Sequence, residues 1–473
     1  MGPAAAPSPL VERAERAREA QARWRRHSLA QRVRAVRGLW ADLLSVRERL
    51  IGVIREETGK PAFEAGVMEA DAAGCLVSHF TREAARVLSD QAAPKPWVFF
   101  NKRAYVRQVP RGVVGLITPW NMPFLIPFGD AVPALLAGNA VLLKPSEWTP
   151  RTALFLEERF RDCGLFPEGL LQVVTGGGGE GAALIGHVDM VLFTGSVATG
   201  KSVARAAAER MIPAVLELGG LHPMIVARDA SLSRAVKAAV WGRFANCGQL
   251  CVGVERVFVE RPLYPAFCQE LVRETGALRQ SLEAGDAADV GRLVTPGQLD
   301  RVERHLDDAR AKGARVLGGE VLDRARLLVR PAIVLDATPE MLVMREETFG
   351  PVLPVMPVET LEDAVRLANE SSLGLAASVW TADPRVGEAA ATQLEAGLVG
   401  VNDVSSHYVF GALPFGGFKQ SGMGRRHSDE GLRMFCQSQS VIVHEWPADS
   451  PDPWWFPYDR AKARLLELIT RWT

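Results

Sequence analysis

The chain predicts an α/β fold built on parallel sheet with helices packed on both faces. From Val113 onward, short β-branched runs alternate with amphipathic helical stretches. The runs are almost continuously apolar, as strands buried on both faces must be. At 473 residues the chain is long enough for two or three domains.

Taken in order, the first nine residues are rich in Ala and Pro and carry no periodic pattern. Leu29, Val33, Val36, Leu39, Trp40, Leu43 and Leu44 recur at helical spacing, and Lys60-Pro61 closes that region. Strands are expected at 113–118, 140–144, 170–174, 190–194, 213–216 and 224–226, with helices at 152–163 and 201–210. On such sheets ligands sit beyond the carboxyl ends of the strands. After Gly220 a second α/β segment begins, with strands at 255–260 and 353–356 and a helix at 361–369. The stretch from Trp454 to Thr473 is aromatic and then amphipathic. It suits a helix packed on its own or a partner subunit, a lid, or a helix lying on a membrane surface.

Lysine plus arginine equal aspartate plus glutamate at 55 each, so nothing points to nucleic acid. The six cysteines form no C-x-x-C pair, which argues against a zinc site or disulfide framework and fits a reducing cytoplasm. The N-terminus lacks the apolar core of a secretory signal, and Glu12, Glu15 and Glu19 argue against a transit peptide. Pro3 and Ala6 break the myristoylation pattern. Pro119, Asn121, Pro123, Asp130 and Asn139 interrupt the most apolar stretch, 112–143, so it does not read as a membrane span.

Three motifs carry chemistry. N-C-G-Q-L-C (246–251) holds Cys251, L-E-L-G-G (216–220) holds Glu217, and T-P-W-N (118–121) holds Asn121. A thiol, a carboxylate and a side-chain amide are what is needed to attack a carbonyl, hold the oxyanion and activate water. Glu217 follows the apolar run A-V-L, where a carboxylate is costly unless paired or functional.

These motifs, with L-A-G-N-A-V-L-L-K-P-S-E-W-T-P (136–150), F-T-G-S (193–196), E-E-T-F-G-P-V (346–352) and P-F-G-G-F-K-Q-S-G-M-G-R (414–425), follow one another in the order of the aldehyde dehydrogenase superfamily. The chain resembles that family over about residues 20–445. The resemblance implies a Rossmann-type cofactor domain (1–88 and 112–219), an α/β catalytic domain (220–420), an oligomerisation hairpin (89–111 and 421–446) and a tail (447–473). It implies oxidation of an aldehyde to an acid through a thiohemiacetal and thioester on Cys251, with Glu217 as base. Asn121 and the Cys251 N–H would hold the oxyanion.

For the cofactor, NAD or NADP, the resemblance assigns Lys144 and Glu147 to the adenosine ribose, Gly195 and Ser196 to the pyrophosphate, Glu347 to the nicotinamide ribose and Phe349 to the nicotinamide. Thr118, Pro119, Trp120, Ser146 and Leu218 complete its lining. A carboxylate at Glu147 accepts from a free 2′-hydroxyl and repels a 2′-phosphate, which favours NAD. A homodimer or homotetramer is implied, and no metal.

Two phosphate-binding patterns compete. Gly176–Gly181 satisfies G-x-G-x-x-G, and Gly195–Ser202 matches the P-loop G-x-x-x-x-G-K-S. An NTPase would leave Asn121, Glu217 and Cys251 without a role. Cys247 is either a bystander or a redox partner of Cys251.

Departures from the family pattern are Gln437, where many members carry a glutamate that could relay protons, and R-R-H-S (425–428). G-R-R-H and H-P-M-I-V-A-R-D-A (222–230) are similar to a succinate-semialdehyde dehydrogenase branch, and P-W-W-F-P-Y (453–458) to branches acting on bulky apolar aldehydes. Met122, Phe124, Phe128, Leu250 and Val252 flank the chemical residues, so a medium or long aliphatic, or aromatic, aldehyde is expected.

Overall fold

The computed structural model describes residues 9–280, 287–452 and 454–470. The first sheet runs, edge to edge, through Gly422–Met423, Ala214–Glu217, Met190–Thr194, Val113–Ile117, Ala140–Lys144 and Leu171–Val173. All pairings are parallel except the short edge strand Gly422–Met423. The chain builds outward from Val113–Ile117 to one side and then returns to add Met190–Thr194 on the other. That reversal opens a crevice at the carboxyl ends of these two strands.

The expected strands stand within about two residues of their places. The helix expected at 201–210 begins earlier, at Val197, because the Ser196 hydroxyl accepts from Thr199 N at 3.3 Å and caps it. The helix Leu125–Ala137 was not foreseen. It is buried on every side, so it shows no apolar stripe for periodicity to find. Pro9–Trp24 and Ala72–Leu88 are further helices packed around this unit.

The second sheet has seven strands, in the order Arg315–Leu317, Ala332–Leu335, Val352–Val358, Arg256–Glu260, Pro223–Val226, Ala376–Trp380 and Leu398–Val401. Only Arg315–Leu317 is antiparallel. It has its own apolar core.

Lys102–Pro110 pairs antiparallel with Cys436–His444 along its full length, with Gln91–Ala92 at the outer edge. Of the stretch 421–446, Gly422–Met423 joins the first sheet instead, Gly422 opposite Glu217. A glycine is needed there, because a Cβ would meet Leu216 O at 2.5 Å. The chain after 445 folds back on the hairpin. Asp452 accepts from Asn101 Nδ2 at 3.1 Å and Lys102 Nζ at 2.6 Å. Trp446 and Trp454 stand edge-on to Phe100 and Phe99, with centroids 5.1 and 4.9 Å apart. Among the described residues no helix is long and apolar enough to cross a membrane.

Candidate active site

Cys251 is delivered by an unusual turn. The helix Leu232–Phe244 runs into Asn246, Cys247 and Gly248, with φ of 52°, 55° and 75°. Consecutive left-handed residues cost roughly 1–2 kcal/mol each outside glycine, so neighbours must hold them. Asn246 N donates to Glu64 Oε1 at 2.8 Å, and Asn246 Nδ2 donates to Asn121 O at 3.1 Å and Gln249 O at 3.0 Å. The buried Gln249 donates back to Asn246 O at 2.9 Å and accepts from Val294 N at 2.9 Å.

The same network fixes Asn121, which follows the strand Val113–Ile117. Its Nδ2 donates to Gln249 O at 2.8 Å, and its carbonyl accepts from Lys60 Nζ at 2.6 Å. Lys60 is ion-paired to Glu69, and both are almost fully buried. Glu69 in turn accepts from Phe124 N at 2.9 Å and Leu125 N at 3.0 Å, at the N-terminus of the helix Leu125–Ala137. A carboxylate there is favoured by the helix dipole.

Glu217 is the last residue of its strand and is 3% exposed. Neither carboxylate oxygen has a hydrogen-bond partner among the described residues. Burial pushes its carboxyl up to about 8, with Arg426 opposing, Asp130 reinforcing and Arg425 opposing more weakly. Burial likewise pushes the Cys251 thiol up to about 12, helped by the carboxylates of Glu217 and Glu347. Glu347 accepts from Gly220 N at 3.0 Å, and burial, then Glu255, lift it to about 8. Phe349 stands edge-on to Trp120 at 5.6 Å.

Two adjoining cavities gather the expected residues. The inner one, about 180 Å³, is lined by Pro119, Trp120, Asn121, Gly195, Ser196, Glu217, Leu218, Cys251, Glu347 and Phe349. The outer one, about 430 Å³, adds Thr118, Lys144, Ser146 and Glu147. The outer cavity reaches Gly195, Thr199 and Ser202 at the first turns of the helix Val197–Glu209, and its N-cap Ser196 lines the inner cavity; a helix N-terminus is an anion-binding position. Lys144 is buried there, with Nζ 3.7 Å from the half-exposed Glu147 carboxylate. A cation, a helix N-terminus and a carboxylate in one elongated hollow fit a dinucleotide.

The P-loop string forms no loop. Ala198 to Ser202 are already helical, and Lys201 Nζ donates to Gln420 Oε1 at 2.8 Å. Gly177 caps the short helix Gly178–Ile185, where Glu180 folds back to accept from Gly177 N at 2.8 Å. Cys247 is buried in the core of the second sheet, whereas Cys251 packs on a separate cluster with Val252, Leu375, Leu398 and Phe415. Phe124 and Phe128 stack on each other at 5.2 Å, and Phe128 on Trp40 at 6.0 Å, so they belong to the core. From that helix it is Ile126 that reaches the inner cavity. Gln437 is exposed on the hairpin, opposite Val109, and does not line the cavity.

Sequence reasoning missed Lys60 and Glu69 as anchors of Asn121, Gln298 and Arg301, which line the inner cavity, Asp130, and the placement of Arg426. Arg426 is buried, with Nη2 3.0 Å from Asp130 Oδ2 and also donating to Thr194 Oγ1. The signals were a lone aspartate in an apolar run and a doubled arginine, each of which is also common on a surface. Among the described residues no cluster of three histidine, cysteine or acidic side chains could hold a metal ion.

The profile of the aldehyde dehydrogenase family matches residues 3–441. A 4,4'-diapolycopene aldehyde oxidase of Methylomonas sp is 39% identical over 96% of this chain and 85% of its own length. A protein of Mycolicibacterium smegmatis, provisionally named a succinate-semialdehyde dehydrogenase using NADP(+), is 39% identical over 90% of this chain and 83% of its own. Among solved structures, the NAD+ complex of a Bacillus cereus aldehyde dehydrogenase is similar, with a TM-score of 0.87 and 34% identity over 92% of this chain and 88% of that one. An NAD-dependent aldehyde dehydrogenase from Sinorhizobium meliloti aligns with a TM-score of 0.88 and 32% identity, over 94% and 88% of the two chains.

Proposed function

The chain belongs to the aldehyde dehydrogenase family, and from that premise we propose which residues carry its reaction and which aldehydes it takes. It is an oxidoreductase that converts an aldehyde to a carboxylic acid with a nicotinamide dinucleotide. When bound, the dinucleotide supplies the hydride acceptor that raises the carbonyl carbon to the acid oxidation level.

Cys251 Sγ adds to the carbonyl carbon as a thiolate, forming the S–C bond of a thiohemiacetal. The new oxyanion is received by Asn121 Nδ2 and the Cys251 N–H. Asn121 Nδ2 carries two N–H groups: one donates to Gln249 O, 2.8 Å away, and the other is left for the oxyanion. Loss of hydride leaves a thioester on Cys251. Glu217 takes a proton from water, the hydroxide oxygen adds to the thioester carbon, and the thiolate departs as the carboxylate forms. The free oxygens of Glu217 are suited to holding that water. Lys144 and Glu147 hold the adenosine ribose, Ser196 and Gly195 the pyrophosphate, and Glu347 the nicotinamide ribose. Glu147 makes NAD the better acceptor.

The substrate is a medium or long aliphatic, or aromatic, aldehyde. The observation that carries this is the apolar cluster around Cys251, of Val252, Leu375, Leu398 and Phe415 with Tyr408. Arg426, the buried arginine nearby, is already engaged by Asp130 and Thr194, which weighs against a carboxylate-bearing aldehyde such as succinate semialdehyde. NADH absorbance with a panel of aldehydes tests the reading, and NADP run alongside tests the cofactor. Higher kcat/KM for succinate semialdehyde than for long apolar aldehydes, or for NADP than for NAD, would overturn the respective assignment. The Lys102–Pro110/Cys436–His444 hairpin offers exposed Ile442 for assembly with further copies in the cytoplasm. A monomeric mass in solution would refute that.

A further inference from the structure

Arg426 is 2% and Asp130 4% exposed at the side chain, and their ion pair lies wholly inside the protein. The guanidinium is fixed from several sides. The Arg426 backbone exchanges hydrogen bonds with Phe415, N to O at 2.7 Å and O from N at 2.8 Å. Its Nη2 reaches Asp130 Oδ2 at 3.0 Å and donates to Thr194 Oγ1. Thr194 is the cross-strand partner of Glu217 in the parallel register, and Gly422, four residues before Arg426, is the partner of Glu217 on the other side. Neighbouring strands lie about 4.8 Å apart. The Arg426 guanidinium is therefore held on the residue that pairs with Glu217, from where its charge opposes the rise of the Glu217 carboxyl, while Asp130 enters from the helix Leu125–Ala137.

We propose that Arg426 is a positioning residue whose guanidinium, oriented by Asp130 and Thr194, sets the pH at which Glu217 can take a proton from water. The inference rests on the reading of Glu217 as the general base. The other charged and titratable groups facing this cluster are Arg425, Tyr408, Cys251, Glu347 and His427. Arg425 turns its Nη1 to the carbonyls of Gly417 and Gly424, at 3.1 and 2.7 Å. Tyr408 and His427 are held neutral by burial. Of the influences opposing the ionisation cost of Glu217, Arg426 is the first, and Asp130 acts against it. A buried charge within about 4–6 Å moves a carboxyl by one to three pH units. Without Arg426, Glu217 would keep its proton to a pH higher still than the value of about 8 it has beside the guanidinium.

The test is the pH dependence of thioester decay in single-turnover, rapid-quench experiments on the full chain with NAD and a long-chain aldehyde. In the wild type the decay rate rises as Glu217 loses its proton. Arg426→Met should move the midpoint up by about one pH unit or more. Asp130→Asn, which leaves the guanidinium uncompensated, should move it down. Arg426→Lys should return it towards the wild type. These opposite displacements are a signature that damage to folding does not produce. Should Arg426→Met not fold, the downward movement in Asp130→Asn still decides, and an unmoved or raised midpoint there overturns the proposal. Loss of the rise in Glu217→Gln with an unmoved midpoint in Arg426→Met overturns this inference alone. Survival of the rise in Glu217→Gln overturns it together with the base assignment.

Discussion

With the Cys251 thiol pushed up to about 12, the unliganded protein holds little thiolate at neutral pH. Only the thiolate attacks, so alkylation of Cys251 by iodoacetamide should quicken about tenfold per pH unit between about pH 7 and 9. A plateau in that range, read by mass spectrometry, would show a thiolate already formed. Cys251→Ala should reduce NADH production to background with an unchanged melting temperature. Glu217→Gln should slow turnover on the order of 10²–10⁴-fold by delaying thioester hydrolysis, seen as a burst of NADH before a slow steady rate. The same substitution should act on stability. The folded carboxyl titrates near 8 against an ordinary value of 4.5. Its contribution is whole below the unfolded value and is lost as pH rises through the folded one. The glutamine variant should therefore melt progressively higher than the wild type from about pH 5 to 8. An equal difference at both ends would contradict this. At this scale the sequence showed the thiol, the carboxylate and the amide through their motifs. It could not show Asp130 facing Arg426, because 296 residues separate them and neither lies in a spaced pattern.

At the scale of the element, the turn 245–248 leads into Cys251 and has no signature of left-handed backbone beyond Gly248. Asn246 and Cys247 are left-handed because the distant Glu64 and the neighbouring Gln249 satisfy their surroundings. Gly248→Ala would combine a φ of 75° with a Cβ pressed into the Gly350 carbonyl. It should cost at least about 1 kcal/mol in a urea melt and lower kcat, since Gly350 follows the Glu347–Phe349 loop. Wild-type stability and activity would show that the turn can relax. The strands were legible because double burial makes them continuously apolar. Leu125–Ala137 was hidden by the same rule, an all-round apolar helix having no face to read.

For the whole molecule, the tail binds the hairpin through Asp452 and Trp454, and none of its described residues lines the inner cavity. Deleting residues 447–473 should lower the melting temperature and alter the assembled mass. The ratio of truncated to full-length kcat/KM should stay flat from short to long aldehydes. A selective loss on long chains, worth roughly 0.8 kcal/mol per methylene, would make the tail a lid. The amphipathic pattern of the tail was visible in the sequence. Its docking was not, because the residues that receive it, Asn101 and Lys102, lie some 350 positions away.

The anchoring of Asn121 has a consequence in time. Its loop is tied to Lys60, 61 residues earlier, and to Asn246 and Gln249, 125 and 128 residues later. No single stretch of chain can assemble this corner, and distant closures are slow. On dilution from denaturant, helix and strand signals in circular dichroism should recover first and catalytic activity last. The interval between them records the moment at which the Lys60–Glu69 pair and the 246–249 turn dock on one loop. Weakening the dock with Glu69→Gln should lengthen that interval while the circular dichroism phase keeps its rate. Simultaneous recovery of both signals would place the corner among the early contacts.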